Sequence, residues 1–417
     1  MTLSASTAKI APLVGVVGPG LMGLGIAQVA AAAGFAVALC GRDSEASGEA
    51  VNRLRAALDR QSGRGRLDGA TCVGVLARVS AARVAADDLS RCALVIECLP
   101  EDRAIKIDAL CRIERAAAPG AIIATNTSGL AVSGLAAVLR DPTRFLGLHF
   151  FSPAERMPLV EVVRGAETSE ATMEVALAFV KALGKVSVCV RDGPGFFATR
   201  VFAAYLDEAM AMVGEGAPPE LIEAAAVATG RSAGPLAALD ETGIALNLQQ
   251  ARQAAADGLA ERFRRPLAEP LLARLVAEGR GGRRRGGGFY DWPDGGPRAL
   301  WPGLADLFPP AAGRFDADAV RLRLLAAEAR EALRCLEEGV IDSADDADVA
   351  SILGLGFPKQ LGGVLRWVED FDLAAFAALC RRLASAHGER FAPTPWLFGL
   401  AASGQGLSIY RERERQT

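Results

Sequence analysis

VGVVGPGLMGLGIAQVAAAAG, residues 14–34, is a run of small branched residues broken by glycines and followed by an alanine-rich stretch. The spacing predicts a strand through Val17, a turn, and a helix from Leu21 to Ala33. Gly18, Gly20 and Gly23 then form a G-x-G-x-x-G pattern between the two. Gly18 allows a tight turn, Gly20 lets backbone approach a pyrophosphate, and Gly23 lets helix and strand pack closely. With Leu21 and Met22 at the helix start, free N–H groups face the phosphates of a dinucleotide. Other ligands of such a fold, or a tight turn alone, are the alternatives.

The rest of the first half extends this unit. AVALC, ALVIECL, AIIATNT, FLGLHFF, LVEVV and VSVCV are further strand candidates, separated by helical stretches. Near-continuous apolar strands alternating with helices imply a mostly parallel sheet covered on both faces. At Asp192 the character changes. DGPGFF is a glycine–proline break, and the sequence beyond it is almost entirely helical. That helical part repeats. EAMAMVGEG at Glu208 and EALRCLEEG at Glu331 share a pattern, and the same offset carries Pro235 onto Pro358. Such spacing indicates a duplicated helical domain. EGRGGRRRGGGFYDWPDGGP reads as the linker, with Phe289, Tyr290 and Trp292 pinning it to a core. The expected domains are 10–192, 193–293 and 315–412.

The second strand of a dinucleotide fold normally ends in an acid for the ribose 2′-hydroxyl. Here AVALC is followed by Gly41 and Arg42. A missing carboxylate beside a guanidinium favours a 2′-phosphate, so the cofactor is NAD or NADP, with a slight lean to NADP. Asp43 taking the role, or Arg42 stacking on adenine, are the alternatives. Arg53, Arg60 and Arg64 share one helix face, either as a phosphate-binding stripe or as a solvated surface.

Two histidines occur in 417 residues. His149 lies in FLGLHFF and Glu161 in PLVEVV, joined by a proline-flanked turn. Neighbouring strands would bring imidazole and carboxylate together, an arrangement able to shuttle a proton as hydride moves. A lone histidine on an apolar strand would instead be a hydrogen-bonded core residue.

The totals exclude other classes. A net charge of −3 gives no electrostatic case for nucleic acid or an anionic membrane. No apolar run approaches the ~20 residues needed to span a bilayer. MTLSASTAKIAP lacks a signal-peptide core. Eight scattered cysteines without a Cys-x-x-Cys pair fit a reducing cytoplasm and no metal site.

Taken in order, GPGLMGLGIA, VIECLPEDRAIK, ATNTSGL, GLHFFSPAERMPLVEV and DGPGFFATRVF resemble the L-3-hydroxyacyl-CoA dehydrogenases. GRRRGGGFYDW, GPLAALDETG and LEEGVIDSADDADVASILGLGFP are similar to the C-terminal part of the large fatty-acid oxidation multifunctional enzymes. The resemblance implies an α/β Rossmann-type domain followed by two all-α domains, a duplicated 6-phosphogluconate-dehydrogenase C-terminal-like fold. It implies His149 as general acid/base, Glu161 as its orienting partner, and Ser128 on the substrate hydroxyl or carbonyl. Glu101, Lys106 and Ser152 match cofactor-contacting positions. The bland alternatives are a helix cap for Ser128 and exposed helix charges for Glu101 and Lys106. Two departures stand out: Gly129 where a second serine is usual, and Thr199 where an asparagine holds the thioester carbonyl. The implied activity interconverts (S)-3-hydroxyacyl-CoA and 3-oxoacyl-CoA, with an acyl-CoA as partner. A catalytically impaired acyl-CoA- or cofactor-binding relative, or a dehydrogenase of a free 3-hydroxy acid, are the alternatives. The second helical copy occupying a partner's place implies a monomer or weak homodimer.

Overall fold

A computed structural model describes residues 12–293, 296–311, 315–404 and 406–411. Residues 1–11, and the expected domain limits 10 and 412, lie outside them. The chain divides into two compact units, one up to Phe196 and one from Phe197.

The first unit is built on eight strands: β1 Leu13–Val17, β2 Ala36–Cys40, β3 Val79–Ala82, β4 Cys92–Glu97, β5 Ile122–Thr125, β6 Phe145–Phe150, β7 Leu159–Arg164 and β8 Val186–Arg191. Their order in the sheet is β3-β2-β1-β4-β5-β6-β7-β8. The pairs from β3 across to β6 are parallel. β7 runs antiparallel to β6, and β8 follows β7. The chain lays strands outward from β1, then returns to β1 and builds the other way. The reversal opens a crevice at the carboxyl edge between β1 and β4, the usual ligand position in such sheets.

The strands form where apolar branched residues can be buried on both faces. All six residues of β6 are buried, as are five of six in β7. Seven strands match the sequence expectation. β3 does not appear in it, because VSAA is a four-residue edge strand whose two central residues are exposed. It carries no continuous apolar signal. Helix α1 spans Leu21–Ala32 and helix α2 spans Ser44–Gly63. Phe35 and Phe179 meet edge to face at 5.3 Å in the core beneath the sheet.

In the second unit, helices Ala198–Gly214, Pro219–Val227, Pro235–Thr242, Ile244–Ala256 and Glu269–Ala277 are followed by a second set of five. These are Ala317–Glu337, Ala344–Leu355, Val364–Phe371, Leu373–His387 and Pro395–Ala402. The linker between the sets is tied down. Asp240 accepts the N–H groups of Phe289 and Tyr290 at 2.8 Å and the Trp292 indole N–H at 2.9 Å.

The two sets meet through a reciprocal ionic contact. Arg200 pairs with Glu331 at 2.5 Å and Glu338 at 2.9 Å. Arg323 pairs with Glu208, and with Glu215 at 2.6 Å. The offset that carries Glu208 onto Glu331 also carries Arg200 onto Arg323 and Glu215 onto Glu338. Each copy thus offers the other the same arginine and the same two glutamates. That is the signature of an isologous contact, here held within one chain. Both arginines are buried, so their charges depend on these partners.

Replacing Glu208 by Gln leaves buried Arg323 with Glu215 alone and removes the carboxylate that Arg390 also uses. The expected loss is about 3 kcal/mol in the unfolding free energy of the helical unit, measured by urea denaturation. Glu338→Gln, at a partly exposed carboxylate, costs less than about 1 kcal/mol.

Candidate active site

Because β1, β4, β5 and β6 are parallel, their carboxyl ends share one edge of the sheet. That edge carries the glycine loop after Val17, Glu97 at the end of β4, the NTSG segment after Thr125, and His149 near the end of β6.

The glycine loop has the geometry its spacing predicts. Gly18 sits at φ +98°, and a Cβ there would meet the Cys98 backbone at 2.8 Å. A Cβ on Gly23 would lie 2.1 Å from the Gly18 carbonyl oxygen. Gly20, by contrast, faces open space within 4 Å. Gly20 is also the N-cap of α1, and no side chain caps that helix. Leu21 is exposed and Met22 half-buried. Two tight glycines therefore hold the turn, and the third leaves room where a pyrophosphate would approach the helix amides. The loop fits a dinucleotide. Cys98 borders it, but burial pushes the thiol pKa up, so no thiolate stands in the cradle.

His149 and Glu161 occupy directly opposed positions in the antiparallel β6–β7 register. Opposed side chains point to the same face. His149 Nδ1 lies 2.6 Å from Glu161 Oε2, with the side chains 9% and 0% exposed. The Phe151 and Phe196 rings lie 4.6 and 6.1 Å from the imidazole. Phe196 holds φ at +51°, a conformation unusual for a bulky residue. Asn126 Oδ1 accepts the Phe150 N–H at 2.9 Å, which pins the strand beside His149 to the segment carrying Ser128. The turn 151–158 is tied by Lys185, whose ammonium donates to the carbonyls of Ala154 and Met157 at 2.8 and 2.5 Å. Ser152 in this turn is exposed.

Ser128 is held by Glu101. Glu101 Oε1 accepts the Thr127 hydroxyl at 2.6 Å, the Ser128 N–H at 3.1 Å and the Gly129 N–H at 2.9 Å. The capping alternative for Ser128 is not what the structure shows. The Leu130 N–H goes to Thr127 Oγ1, and Asp192 receives the amides of Val132 and Ser133. Nor are Lys106 and Glu101 exposed helix charges. Lys106 is 1% exposed, and its ammonium bonds Glu97 at 2.9 and 3.1 Å and the Leu99 carbonyl at 3.1 Å. Glu97 in turn accepts the Thr125 hydroxyl at 2.6 Å and the Leu99 N–H at 2.6 Å. Lys106 also lies 3.6 Å from Glu101. It therefore acts on the site as a buried prop for the β4 and β5 ends.

Sequence reasoning missed Glu97, Thr127, Asn126 and Lys185. Glu97 did leave a signal: an acid inside the apolar run ALVIECL cannot be buried without a cationic partner. Thr199 stands in the first turn of Ala198–Gly214, in the second unit. Gly41 follows β2 directly, and Arg42 is highly exposed. Among the described residues, no group of three or more His, Cys, Asp or Glu could hold a metal ion.

Residues 13–193 match the family "3-hydroxyacyl-CoA dehydrogenase, NAD binding domain", and residues 195–292 match "3-hydroxyacyl-CoA dehydrogenase, C-terminal domain". The (S)-3-hydroxybutyryl-CoA dehydrogenase of Ralstonia eutropha is 34% identical, with 66% of this chain covering 97% of that one and a TM-score of 0.61. The chain belongs to the 3-hydroxyacyl-CoA dehydrogenase family. A 3-hydroxybutyryl-CoA dehydrogenase of Escherichia coli K12 has the same fold over 96% of this chain and 99% of its own, at 27% identity and a TM-score of 0.78. The fatty acid oxidation complex subunit alpha of Vibrio cholerae is 33% identical over 97% of this chain, but over only 56% of its own length. The chain thus spans about half the length of the curated relatives it matches. As in this dehydrogenase family, its first unit is a Rossmann-type domain for a nicotinamide dinucleotide, followed by helical C-terminal structure.

Substituting Lys106 by Met leaves Glu97 charged and buried. A fall of about 3 kcal/mol in the stability of the first unit is expected, read as a lower calorimetric melting temperature. The double variant Glu97→Gln/Lys106→Met should recover most of it.

Proposed function

We propose that the chain interconverts (S)-3-hydroxyacyl-CoA and 3-oxoacyl-CoA. The observation that carries this reading is the 2.6 Å contact of His149 Nδ1 with Glu161 at the carboxyl edge that bears the glycine loop. A nicotinamide dinucleotide, when bound, supplies the acceptor or donor of hydride at C3. The Glu161 carboxylate accepts the Nδ1–H of His149, which fixes the tautomer and leaves Nε2 with its lone pair. Nε2 takes the substrate hydroxyl proton on oxidation, and Glu161 stabilises the resulting imidazolium. In reduction Nε2–H returns that proton to the 3-oxo oxygen. Phe151 and Phe196 narrow water access to the imidazole, which strengthens the pair.

Ser128, presented by Glu101, is the proposed donor to the substrate oxygen. Thr199 is assigned to the thioester carbonyl, with a hydroxyl in place of the amide usual in this family. Ser152 is assigned to the cofactor. The substrate is an acyl-CoA. The chain is proposed to work in the cytoplasm, a reading supported by eight free cysteines. Among the described residues, no helix is long and apolar enough to cross a membrane. The reciprocal arginine–glutamate contact supports a monomer or weak homodimer, because each helical copy already meets a partner.

With acetoacetyl-CoA as substrate and reduced cofactor followed by absorbance, His149→Ala should lower turnover by about 10²–10⁴-fold. Dinucleotide binding should persist. Glu161→Gln should lower kcat by about 10²-fold with little change in KM. Wild-type turnover in the His149 variant would overturn the role. Light scattering after gel filtration should report a mass near 43.4 kDa at low micromolar concentration; a stable species of twice that mass would remove the monomer reading.

A further inference from the structure

We propose that the dinucleotide site selects the 2′-phosphorylated cofactor, NADP(H), over NAD(H). The inference rests on the dinucleotide reading above and adds a specificity to it. In a fold of this kind the adenosine ribose meets the end of the second strand. A carboxylate there binds the 2′-hydroxyl and repels a phosphate; an arginine does the reverse.

The end of β2 adjoins the glycine loop, because the Cys40 carbonyl accepts the Gly18 N–H at 2.9 Å. The next residue, Gly41, has no side chain and cannot readily acquire one. A Cβ there would lie 2.9 Å from the Ser47 backbone nitrogen and 3.0 Å from the Ala46 carbonyl carbon. The Gly41 N–H is also committed, donating to Ser47 Oγ at 2.8 Å, and Ser47 donates on to the Ala82 carbonyl at 2.7 Å. The closeness of α2 to this turn therefore excludes a carboxylate from the discriminating position.

Arg42 follows, with its side chain 89% exposed. Its Nε meets Asp43 Oδ2 at 3.2 Å, which leaves the two terminal nitrogens facing solvent. Asp43 is engaged within its own turn, one oxygen by Arg42 and the other by α2. Its Oδ1 accepts the Ala46 N–H at 2.7 Å and caps α2, and that bond holds its pKa below the usual carboxylate range. Glu45 is the other acid in this turn, on the first turn of α2. A second guanidinium reaches the rim of the loop. Arg53, farther along α2, donates from Nη2 to the Pro19 carbonyl, between Gly18 and Gly20, at 2.9 Å. Arg42 offers a planar fork to a phosphate, and Arg53 adds a second charge beside the same loop.

The test is isothermal titration of the purified full chain with NADPH and NADH at fixed ionic strength, without acyl-CoA. NADPH should bind at least about tenfold tighter than NADH, the size of one charge-assisted contact to a phosphate. Arg42→Ala should shrink the NADPH-to-NADH affinity ratio at least about fivefold, and Arg53→Ala by a smaller factor. Raising the salt concentration should shrink it too. Equal or tighter binding of NADH would overturn the proposal while leaving the dinucleotide site intact. A ratio unmoved by Arg42→Ala would overturn the assignment to that residue. Failure of both dinucleotides to bind would sink the underlying reading instead.

Discussion

The site depends on one antiparallel pairing at the end of a run of parallel strands. β6 ends at the same edge as the glycine loop because it runs parallel to β1 through β4 and β5. β7 then turns back, and its register sets Glu161 directly across from His149. A slip of one residue would send the carboxylate to the opposite face and leave a buried acid without its imidazole. The turn 151–158 thus does more than join two strands. Lys185 clamps two of its carbonyls, and Asn126 ties the end of β6 to the loop after β5.

Behind that edge lies a layer of charge that never meets solvent. Glu97 and Lys106 neutralise one another, and Thr125 and the Leu99 backbone use the remaining lone pairs. Buried ions of this kind add little net stability. Their effect here is positional: they lock the ends of β4 and β5, and Glu101 then fixes three successive residues around Ser128. A proton-transfer site needs that rigidity, since reacting groups must be held within fractions of an ångström.

The helical unit solves a different problem. Arg200 and Arg323 are equivalent residues of two copies, each buried against the other copy's glutamates. The arrangement is that of two identical subunits, yet one chain supplies both. Joining the copies makes the contact intramolecular, so it no longer depends on protein concentration. The linker is part of this packing through Asp240 and the buried Phe289 and Tyr290.

Local patterns were enough to establish much of this. Seven apolar runs, three glycines at the right spacing and the shared offset between Glu208 and Glu331 are properties of neighbours along the chain, and they specify strands, a phosphate-binding turn and a repeat. His149 and Glu161 were also legible, as two polar residues placed where polarity is costly. The weak edge strand β3 was not, because its two central residues are exposed and its pairing with β2 is all that marks it. The sequence by itself determined which residues had to be buried, turned or paired. Tertiary structure alone decided with whom: that Lys106 serves Glu97, that Glu101 carries Ser128, that Arg53 returns to Pro19, and that Gly41 lies against α2. These partners are 9 to 34 residues apart or lie on separate elements, and no periodicity links them. Only the sheet order brings such groups within hydrogen-bonding distance.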